Sequence, residues 1–207
     1  MGPRVLSACL VSLWARAQEW NAPPDPVQDC EARLAAAGVR FQAFRDPLRA
    51  SPGGRLRCGV EQGAKFLRGP GGIRYNRPPR LSCGMALALA RFETVVQEEA
   101  QRWLGRPVMR IVHAGTYACR EMANYPGWVS EHAWANAIDI ATFVLRGGRQ
   151  VAASRYAGDD PAGRFLRAVA RRLVDERVFS VVLTPAFDRL HKNHLHLDLA
   201  RYQVDGT

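Results

Sequence analysis

The chain has 207 residues, of which 47% are hydrophobic and 23% are charged, and this composition fits a globular domain and excludes an intrinsically disordered chain. Its 29 lysines and arginines outnumber its 19 acidic residues, which gives a formal net charge of +10. Such an excess favours anionic partners (nucleic acid, acidic lipid or an anionic cell-wall polymer), and charge alone does not choose among them.

The N-terminus has the features of a secretory signal peptide. Arg4 precedes a ten-residue apolar run, Val5–Trp14, which is followed by the A-x-A cleavage site Ala15-Arg16-Ala17. Leu6-Ser7-Ala8-Cys9 also resembles a lipoprotein attachment site, but it lies within the apolar run instead of after it. We therefore predict cleavage after Ala17 and secretion to the periplasm or cell envelope.

The rest of the chain is predicted to be one domain. Residues 1–17 form the signal peptide, 18–27 carry three prolines and are predicted to be a linker, and 28–207 form a single folded unit. No further apolar run reaches the roughly 20 residues that cross a bilayer, so no transmembrane span is predicted.

In the first part of this domain, the pattern predicts a helix over Cys30–Ala37 and a short strand within Val39–Phe44. Residues 46–79 are rich in glycine, proline and arginine, and they are predicted to interrupt any long element. Two short strands are expected there, around Cys58–Val60 and Ile73–Tyr75.

The clearest helix is Ser82–Leu104, which has a broad apolar face, Ser82 as its N-cap and Gly105 after its last turn. A β-rich run, Val108–Gly115, follows this helix. Because the helix and ten extended residues each span about 33 Å, the strand is predicted to run back beside the helix.

Four cysteines would remain after signal cleavage: Cys30, Cys58, Cys83 and Cys119. An even number without a Cys-x-x-Cys pair suits two disulfides in an oxidising compartment better than a cysteine zinc site. Three pairings are possible, and we favour Cys83–Cys119 with Cys30–Cys58, because the returning strand would bring Cys119 near Cys83. Export also makes an anionic cell-wall polymer a better partner than nucleic acid.

A second strong strand, Ala137–Leu145, ends at the hairpin signal Gly147-Gly148, and residues 149–152 are predicted to be the returning strand. The amphipathic helix Asp160–Arg177 follows. Its basic side chains, Arg164–Arg172, are predicted to be a solvated face that helps hold the protein on an anionic wall.

Two further strands are predicted, Phe179–Leu183 and His194–Ala200. Strands joined by hairpins, with the helices set apart from them, predict an α+β fold in which helices pack on one face of an antiparallel β-sheet.

Polar and apolar residues alternate strictly in the last of these strands. His194, His196 and Asp198 share one face, and three leucines share the other. If the leucines face the core, the histidines face a polar concave site, although a polar stripe facing solvent has the same pattern.

A second group of polar residues surrounds Asp139, which interrupts the apolar strand Ala137–Leu145. A buried carboxylate needs a cation, a metal ion or strong hydrogen-bond donors. His132 lies seven residues earlier, where a loop can fold it back toward Asp139. Together with a histidine of the His194-x-His196 pair, these residues form a suitable His/Asp/His ligand set for zinc. His113, which alternates with Ile111 on the strand Val108–Gly115, is predicted to be a buried sheet histidine.

These motifs resemble the bacterial extensin-like C-terminal domain family over residues 28–203. More distantly, they resemble the zinc peptidases grouped with lysostaphin, the D-Ala-D-Ala metallopeptidases and the sonic hedgehog zinc domain. The resemblance rests on five segments: Cys83-x-Met85-Ala86-Leu87-Ala88, Gly115-x-Tyr117-x-Cys119-Arg120, Ser130-Glu131-His132-Ala133, Asn136-Ala137-x-Asp139-Ile140 and His191-x-x-His194-x-His196-x-Asp198. It implies a fold like that of the hedgehog domain and the D-Ala-D-Ala peptidases.

The resemblance also implies roles. His132, Asp139 and His196 would bind Zn²⁺, and His194 would move or stabilise a proton beside the metal. His191 is the second candidate for the general base, since its arrangement is similar to that of penicillin-insensitive murein endopeptidases. The resemblance further implies that Arg120 contacts the substrate. Ser130 and Glu131 are expected to orient His132.

One residue departs from the family pattern. Trp134 follows Ser-Glu-His-Ala where the family has small or basic residues, and it is predicted to narrow the cleft or change the substrate.

The implied function is an exported zinc hydrolase that cleaves amide bonds in peptidoglycan peptides, as an endopeptidase or a carboxypeptidase. Two alternatives stay open at this point. One is a non-catalytic, zinc-stabilised module that binds the cell wall, and the other is a cytosolic basic nuclease. The nuclease requires both the signal peptide and the disulfides to be misassigned.

Overall fold

The structure, a computed structural model, describes residues 21–51, 54 and 56–207. The predicted signal peptide, residues 1–17, lies outside the described residues. The described part of the chain contains three α-helices, α1 (Cys30–Ala36), α2 (Cys83–Leu104) and α3 (Pro161–Asp175). None of these helices is both long enough and apolar enough to cross a membrane.

Twelve strands are present among the described residues. They are β1 (Arg40–Ala50), β2 (Arg57–Arg68), β3 (Arg74–Tyr75), β4 (Arg80–Ser82), β5 (Val108–Gly115), β6 (Glu121–Met122), β7 (Tyr125–Val129), β8 (Ala137–Leu145), β9 (Gln150–Ala152), β10 (Val181–Leu183), β11 (Leu195–Asp198) and β12 (Val204–Gly206). The predicted α+β class is confirmed. The main sheet has the order β12-β10-β11-β8-β5-β3, with β9 also paired to β8. It is mixed instead of purely antiparallel, because β12 lies parallel to β10 and β3 parallel to β5.

The helices begin and end at the residues whose chemistry predicts it. The Ser82 hydroxyl accepts a hydrogen bond from the Met85 amide and caps α2. Gly105 ends that helix in the left-handed conformation that glycine adopts without steric cost. Asp160 caps α3 by accepting from the Gly163 amide, and Pro161 occupies its first turn.

Helices α2 and α3 cover one face of the main sheet. Phe143 of β8 meets Phe92 of α2 and Phe165 of α3, with ring centroids 6.4 and 5.2 Å apart, respectively, and all three side chains are fully buried. Leu195 and Leu197 of β11 face the same core. Since side chains alternate along a strand, His196 and Asp198 of β11 project from the opposite face of the sheet.

The prediction that residues 46–79 interrupt long elements is wrong over the first half of that segment. Strands β1 and β2 are 11 and 12 residues long and pair as a hairpin. The register is irregular between Phe44 and Asp46 and again between Asp46 and Arg49, and this irregularity accommodates Pro47 within β1. Gly59 and Gly63 allow the strands to approach, because a Cβ at either position would meet the opposite strand within 3 Å.

The favoured disulfide pairing is also wrong. The bonds are Cys30–Cys83, which joins the first turns of α1 and α2, and Cys58–Cys119, which joins β2 to the segment after β5. β5 does return beside α2, but the chain then crosses away from the helix. The segment after β5 is bonded to the turn that carries His132, because the Ala118 amide donates to the His132 carbonyl.

Residues 21–27, part of the predicted linker, lie against the domain. The Val27 amide donates to Gln62, and the Gln62 amide donates back to the Val27 carbonyl. Arg201 donates to the carbonyls of Ala22 and Pro23. The Asn21 side chain exchanges hydrogen bonds with the backbone of β7.

Candidate metal centre

Three elements bring His132, Asp139 and His196 together. Asp139 and His196 are direct partners in the antiparallel pairing of β8 with β11. His132 lies in the short 3₁₀ helix Glu131–Trp134 that precedes β8. Ala135 then adopts a left-handed conformation, with φ 53°, and its amide donates to the His132 carbonyl. This reversal folds the turn back over the start of β8, as the spacing predicts.

The geometry of the trio fits a metal ion. One ligand atom from each of the three residues lies within 4.8 Å of the others. Nε2 of His132 is buried, has no hydrogen-bond partner and lies 3.3 Å from Oδ2 of Asp139. An unpaired buried nitrogen is costly in a folded protein, and a bound cation would satisfy it. Two imidazoles and one carboxylate, with further space on the cleft side, are a donor set that zinc accepts.

The electrostatics of the trio favour a cation between the side chains. Burial alone would raise the pKa of Asp139, but the neighbouring imidazoles of His132 and His196 outweigh burial and hold it far below its usual range. Burial alone would lower the pKa of His196, but its contacts with Asp139 and Asp198 outweigh burial and raise that pKa to about 9. A proton and a metal ion would bind the same carboxylate and imidazole atoms, so the two compete for this site.

Asp198 supports His196 from the side away from Asp139. Nδ1 of His196 lies 2.9 Å from Oδ1 of Asp139, and its Nε2 lies 2.9 Å from Oδ2 of Asp198. The second Asp198 oxygen accepts from the Ala200 amide. Asp198 is buried, so this carboxylate fixes the ring orientation and the tautomer of His196.

Two more histidines stand beside the trio. Nε2 of His194 lies 3.6 Å from Oδ1 of Asp139, and its Nδ1 lies 2.9 Å from the side-chain oxygen of Asn193. Burial lowers the pKa of His194. The His191 ring centroid is 5.7 Å from that of His196, and its Nδ1 lies 2.6 Å from Oδ1 of Asp188.

Glu131 and Ser130 are placed beneath the turn that carries His132. Both are buried, and the Glu131 carboxylate accepts from the Asn136 amide at 2.6 Å. Asn136 also donates to the Leu199 carbonyl and accepts from the Ser82 hydroxyl. Burial, together with the nearby Asp198 carboxylate, raises the pKa of Glu131 to about 7. This network joins the start of β8 to the end of β11.

Asp139 and His196 line the floor of an open cleft of about 620 Å³, whereas His132 is buried beside Asp139. One wall is the hairpin of β6 and β7, and its tip residue Tyr125 is 62% exposed. The other wall carries Phe187 and Leu190, which are 47% and 48% exposed. Arg120, an exposed residue just before β6, also lines the cleft. Large exposed apolar side chains on both sides of a polar floor indicate a binding site for an amphipathic ligand.

The prediction that Trp134 narrows the cleft is wrong. Its side chain is 1% exposed and packs with Leu56, Cys58 and Val129 in a separate small core. The indole nitrogen donates to the Arg57 carbonyl. The 3₁₀ helix has three residues per turn, so a residue two positions from His132 points in a different direction and faces β2 instead of the trio.

His113 is buried, as predicted, and lies outside the trio. Its Nε2 is 3.0 Å from the Arg77 carbonyl, and its backbone pairs with the side chain of Asn76. Burial lowers its pKa. These contacts give His113 a structural part in joining β5 to the segment after β3.

Several cleft residues were not predicted from the sequence. Asp188 lies three residues before His191, and its contact with that histidine could have been suspected from the spacing. Tyr125, Phe187 and Leu190 carry no motif, because they lie in loops and a short hairpin that only the fold brings to the cleft. Asp198 belongs to the alternating pattern, but its contact with His196 is a tertiary observation.

Comparisons with known proteins agree with the motif analysis. The family model described as "Extensin-like protein C-terminus" matches residues 28–206. Neither the curated proteins nor the solved structures gave a match. The matched region contains all three residues of the trio, both disulfides and every strand described above. The chain therefore belongs to the extensin-like C-terminal domain family.

Proposed function

We propose that this protein is an exported, zinc-dependent hydrolase that cleaves amide bonds in peptidoglycan peptides. The observation that carries the proposal is the His132, Asp139 and His196 trio, of which Asp139 and His196 line the floor of an open cleft beside His194. A metal ion that only stabilised the fold would be enclosed by protein ligands, whereas two of these three residues face a cleft.

The residues of the cleft can divide the work of amide hydrolysis among them. Bound zinc would polarise a carbonyl and lower the pKa of water to about 7. His194 can accept a proton at Nε2, because its Nδ1 faces the Asn193 oxygen, which can only accept. The same nitrogen can then deliver the proton to the leaving amine. His191, held by Asp188, is the second candidate for this role.

The cleft also suits a peptide with charged and apolar parts. Arg120 can pair with a substrate carboxylate, since its guanidinium is exposed at the cleft. The apolar walls can hold aliphatic side chains or the faces of sugar rings. Peptidoglycan stem peptides combine these features, and they lie in the compartment that the predicted signal peptide and the disulfides favour.

A relationship to the zinc peptidases of the lysostaphin, D-Ala-D-Ala peptidase and hedgehog group is part of this proposal. It is supported by the Ser-x-His-x6-Asp spacing, by the downstream His-x-His pair and by the α+β fold with its metal ligands on one sheet face.

The decisive experiment is incubation of the zinc-loaded protein with purified peptidoglycan, followed by mass analysis of the released muropeptides. New products with a free amine would support the hydrolase and identify the bond. His194→Ala is expected to keep one zinc ion and to lose at least about a hundredfold in turnover, the usual scale for general acid–base catalysis. Lys192→Ala, an exposed neighbour, is the matched control and should leave both properties unchanged.

Other outcomes would count against the proposal. Zinc binding without any product from peptidoglycan would favour the zinc-stabilised wall-binding module. A His194→Ala variant with full turnover would remove the proposed proton carrier. A protein that binds no zinc would contradict the metal centre itself.

A further inference from the structure

Three segments of the main sheet and its adjoining loops carry positive charge without any acidic residue. The segments 70–80, 105–115 and 140–150 contain seven arginines and no acidic residue. One of the seven, Arg80, lies over the Phe44 ring. The other six are exposed and form no ion pair with any described residue; we call them the arginine face: Arg74, Arg77, Arg106, Arg110, Arg146 and Arg149.

The strand register places two of these arginines, Arg74 and Arg110, side by side. Arg74 of β3 is the partner of Arg110 of β5, and Arg110 is the partner of Val144 of β8. Val144 is in turn the partner of Gln150 of β9. Residues paired in register project from the same face, and the next row, Ile111 with Phe143, is buried against the helices. The arginine row therefore lies on the outer face of the sheet.

That outer face also carries the candidate metal centre. Asp139 and Val144 lie five residues apart on β8, at most about 17 Å, and the register irregularity at Ala141 leaves both on the same face. The row between them consists of the partly exposed residues Val112, Thr142 and Ala152, whose small side chains leave a shallow path. Arg77 donates to the Ala114 carbonyl beside this path.

The basic helix that was predicted to contact the wall is less suitable. In α3, Arg171 pairs with Asp205, and Arg172 contacts Glu98, Glu99 and Glu176. Arg167 donates to the backbone carbonyls of Tyr156 and Gly158. Most of the charge on that face is therefore neutralised within the protein, whereas the arginine face retains its charge.

We propose that the arginine face binds an extended, carboxylate-bearing wall polymer and leads it along the outer sheet face to the metal centre. Guanidinium groups bind carboxylates through paired hydrogen bonds, and unpaired arginines about 5 Å apart on adjacent strands favour a polyanion over a single ion. Two disulfides favour an extracytoplasmic partner, and hence a wall polymer over nucleic acid. The direction of the polymer rests on the proposed function, but its binding does not.

Binding of polygalacturonate tests the proposal, because this polymer carries carboxylates and has no peptide bond to cleave. The Arg74→Gln, Arg110→Gln double variant is expected to weaken binding at low salt by about tenfold or more, since each arginine near an anionic surface contributes roughly fivefold. The Arg74→Lys, Arg110→Lys variant keeps the charge and should lose no more than about threefold. Thermal unfolding of each variant checks that the fold is unchanged.

The matched control removes the same charge from the helix side of the molecule, at the exposed residues Arg33 and Arg164. Arg33→Gln, Arg164→Gln should retain wild-type affinity. If this control weakens binding as much as the Arg74→Gln, Arg110→Gln variant does, binding depends on net charge alone and the proposal is overturned. Tighter binding of double-stranded DNA than of polygalacturonate would overturn it as well.

The same variants separate this proposal from the hydrolase. Polygalacturonate binding that depends on Arg74 and Arg110 supports the arginine face even if peptidoglycan is never cleaved. If cleavage is observed, the double glutamine variant should raise KM for insoluble peptidoglycan and leave zinc content unchanged.

Discussion

Asp139 and His196 face each other on adjacent antiparallel strands, with Oδ1 of the carboxylate 2.9 Å from Nδ1 of the imidazole. Strand pairing thus holds two of the three candidate ligands on a rigid support, and only His132 depends on a turn. Metal sites held by regular elements keep their geometry more accurately than those carried by loops. We expect the charge relations around this pair to govern metal affinity.

Asp198→Asn should weaken zinc binding by about 10–100-fold, although Asp198 is not one of the trio. Its carboxylate holds Nε2 of His196 and makes that imidazole a stronger ligand, and the asparagine keeps the shape without the charge. Competition with a chromophoric chelator measures the zinc affinity. Asp205→Asn, on the surface, is the control, and equal zinc affinities of wild type and Asp198→Asn would contradict the supporting role of this carboxylate.

Trp134→Phe should leave zinc content and product profile unchanged, whereas Trp134→Ala should lower the free energy of unfolding by about 3–5 kcal/mol. The reason is that the indole fills a small buried core with Leu56 and Val129 and does not line the cleft. Chemical denaturation and zinc analysis measure the two effects. An altered product profile in a fully stable Trp134→Phe variant would restore a role for this residue in the cleft.

Glu93→Gln should remove a pH dependence of folding. The Glu93 carboxylate is buried in α2, where it accepts from the Gly71 amide and the Tyr75 hydroxyl. Burial raises its pKa from 4.5 to about 7. The folded state therefore binds this proton more tightly than the unfolded state, and the free energy of unfolding falls as pH rises from about 4.5 to about 7.

Ionisation of Glu93 should lower the free energy of unfolding by about 3 kcal/mol, and the full effect is reached above pH 7. Glu131 has the same trend, because burial also raises its pKa to about 7. The measurement is therefore the difference in unfolding free energy between wild type and Glu93→Gln, from pH 4.5 to 8. Because glutamine resembles the protonated carboxyl, the Glu93→Gln variant should gain stability relative to wild type as pH rises. Glu31→Gln, at an exposed position, is the control. A constant difference for Glu93→Gln would refute the prediction.

Asn21→Ala should loosen the hairpin that forms one wall of the cleft. The Asn21 side chain donates to the Gly127 carbonyl at 3.0 Å and accepts from the Val129 amide at 2.8 Å, as a neighbouring strand would. Loss of these bonds should speed hydrogen exchange at Val129 by up to about tenfold. Asp25→Ala, in the same segment but in contact with Arg201, is the control, and unchanged exchange in Asn21→Ala would show that the hairpin is held without this residue.

The amino-acid sequence by itself predicted the three helices and the central strands of the main sheet, and it singled out the three residues of the trio. Helix α2 is predictable because its apolar period and its capping residues Ser82 and Gly105 act locally. The strand of His196 is predictable because leucines that seek the core force the histidines onto the opposite face. Asp139 was identifiable because a carboxylate in an apolar strand needs a cationic partner.

Tertiary structure alone decided the disulfide pairing, the location of Trp134 and the walls of the cleft. Each depends on where a non-regular segment crosses the fold, and local propensities do not set that path. The glycines of β2 illustrate the same limit, because Gly59 and Gly63 can break a strand or permit close approach of its partner, and only the partner's position selects one outcome. The arginine face depends on tertiary structure too: Arg74 and Arg110 are distant in sequence, and backbone pairing of β3 with β5 brings their charges together without any attraction between them.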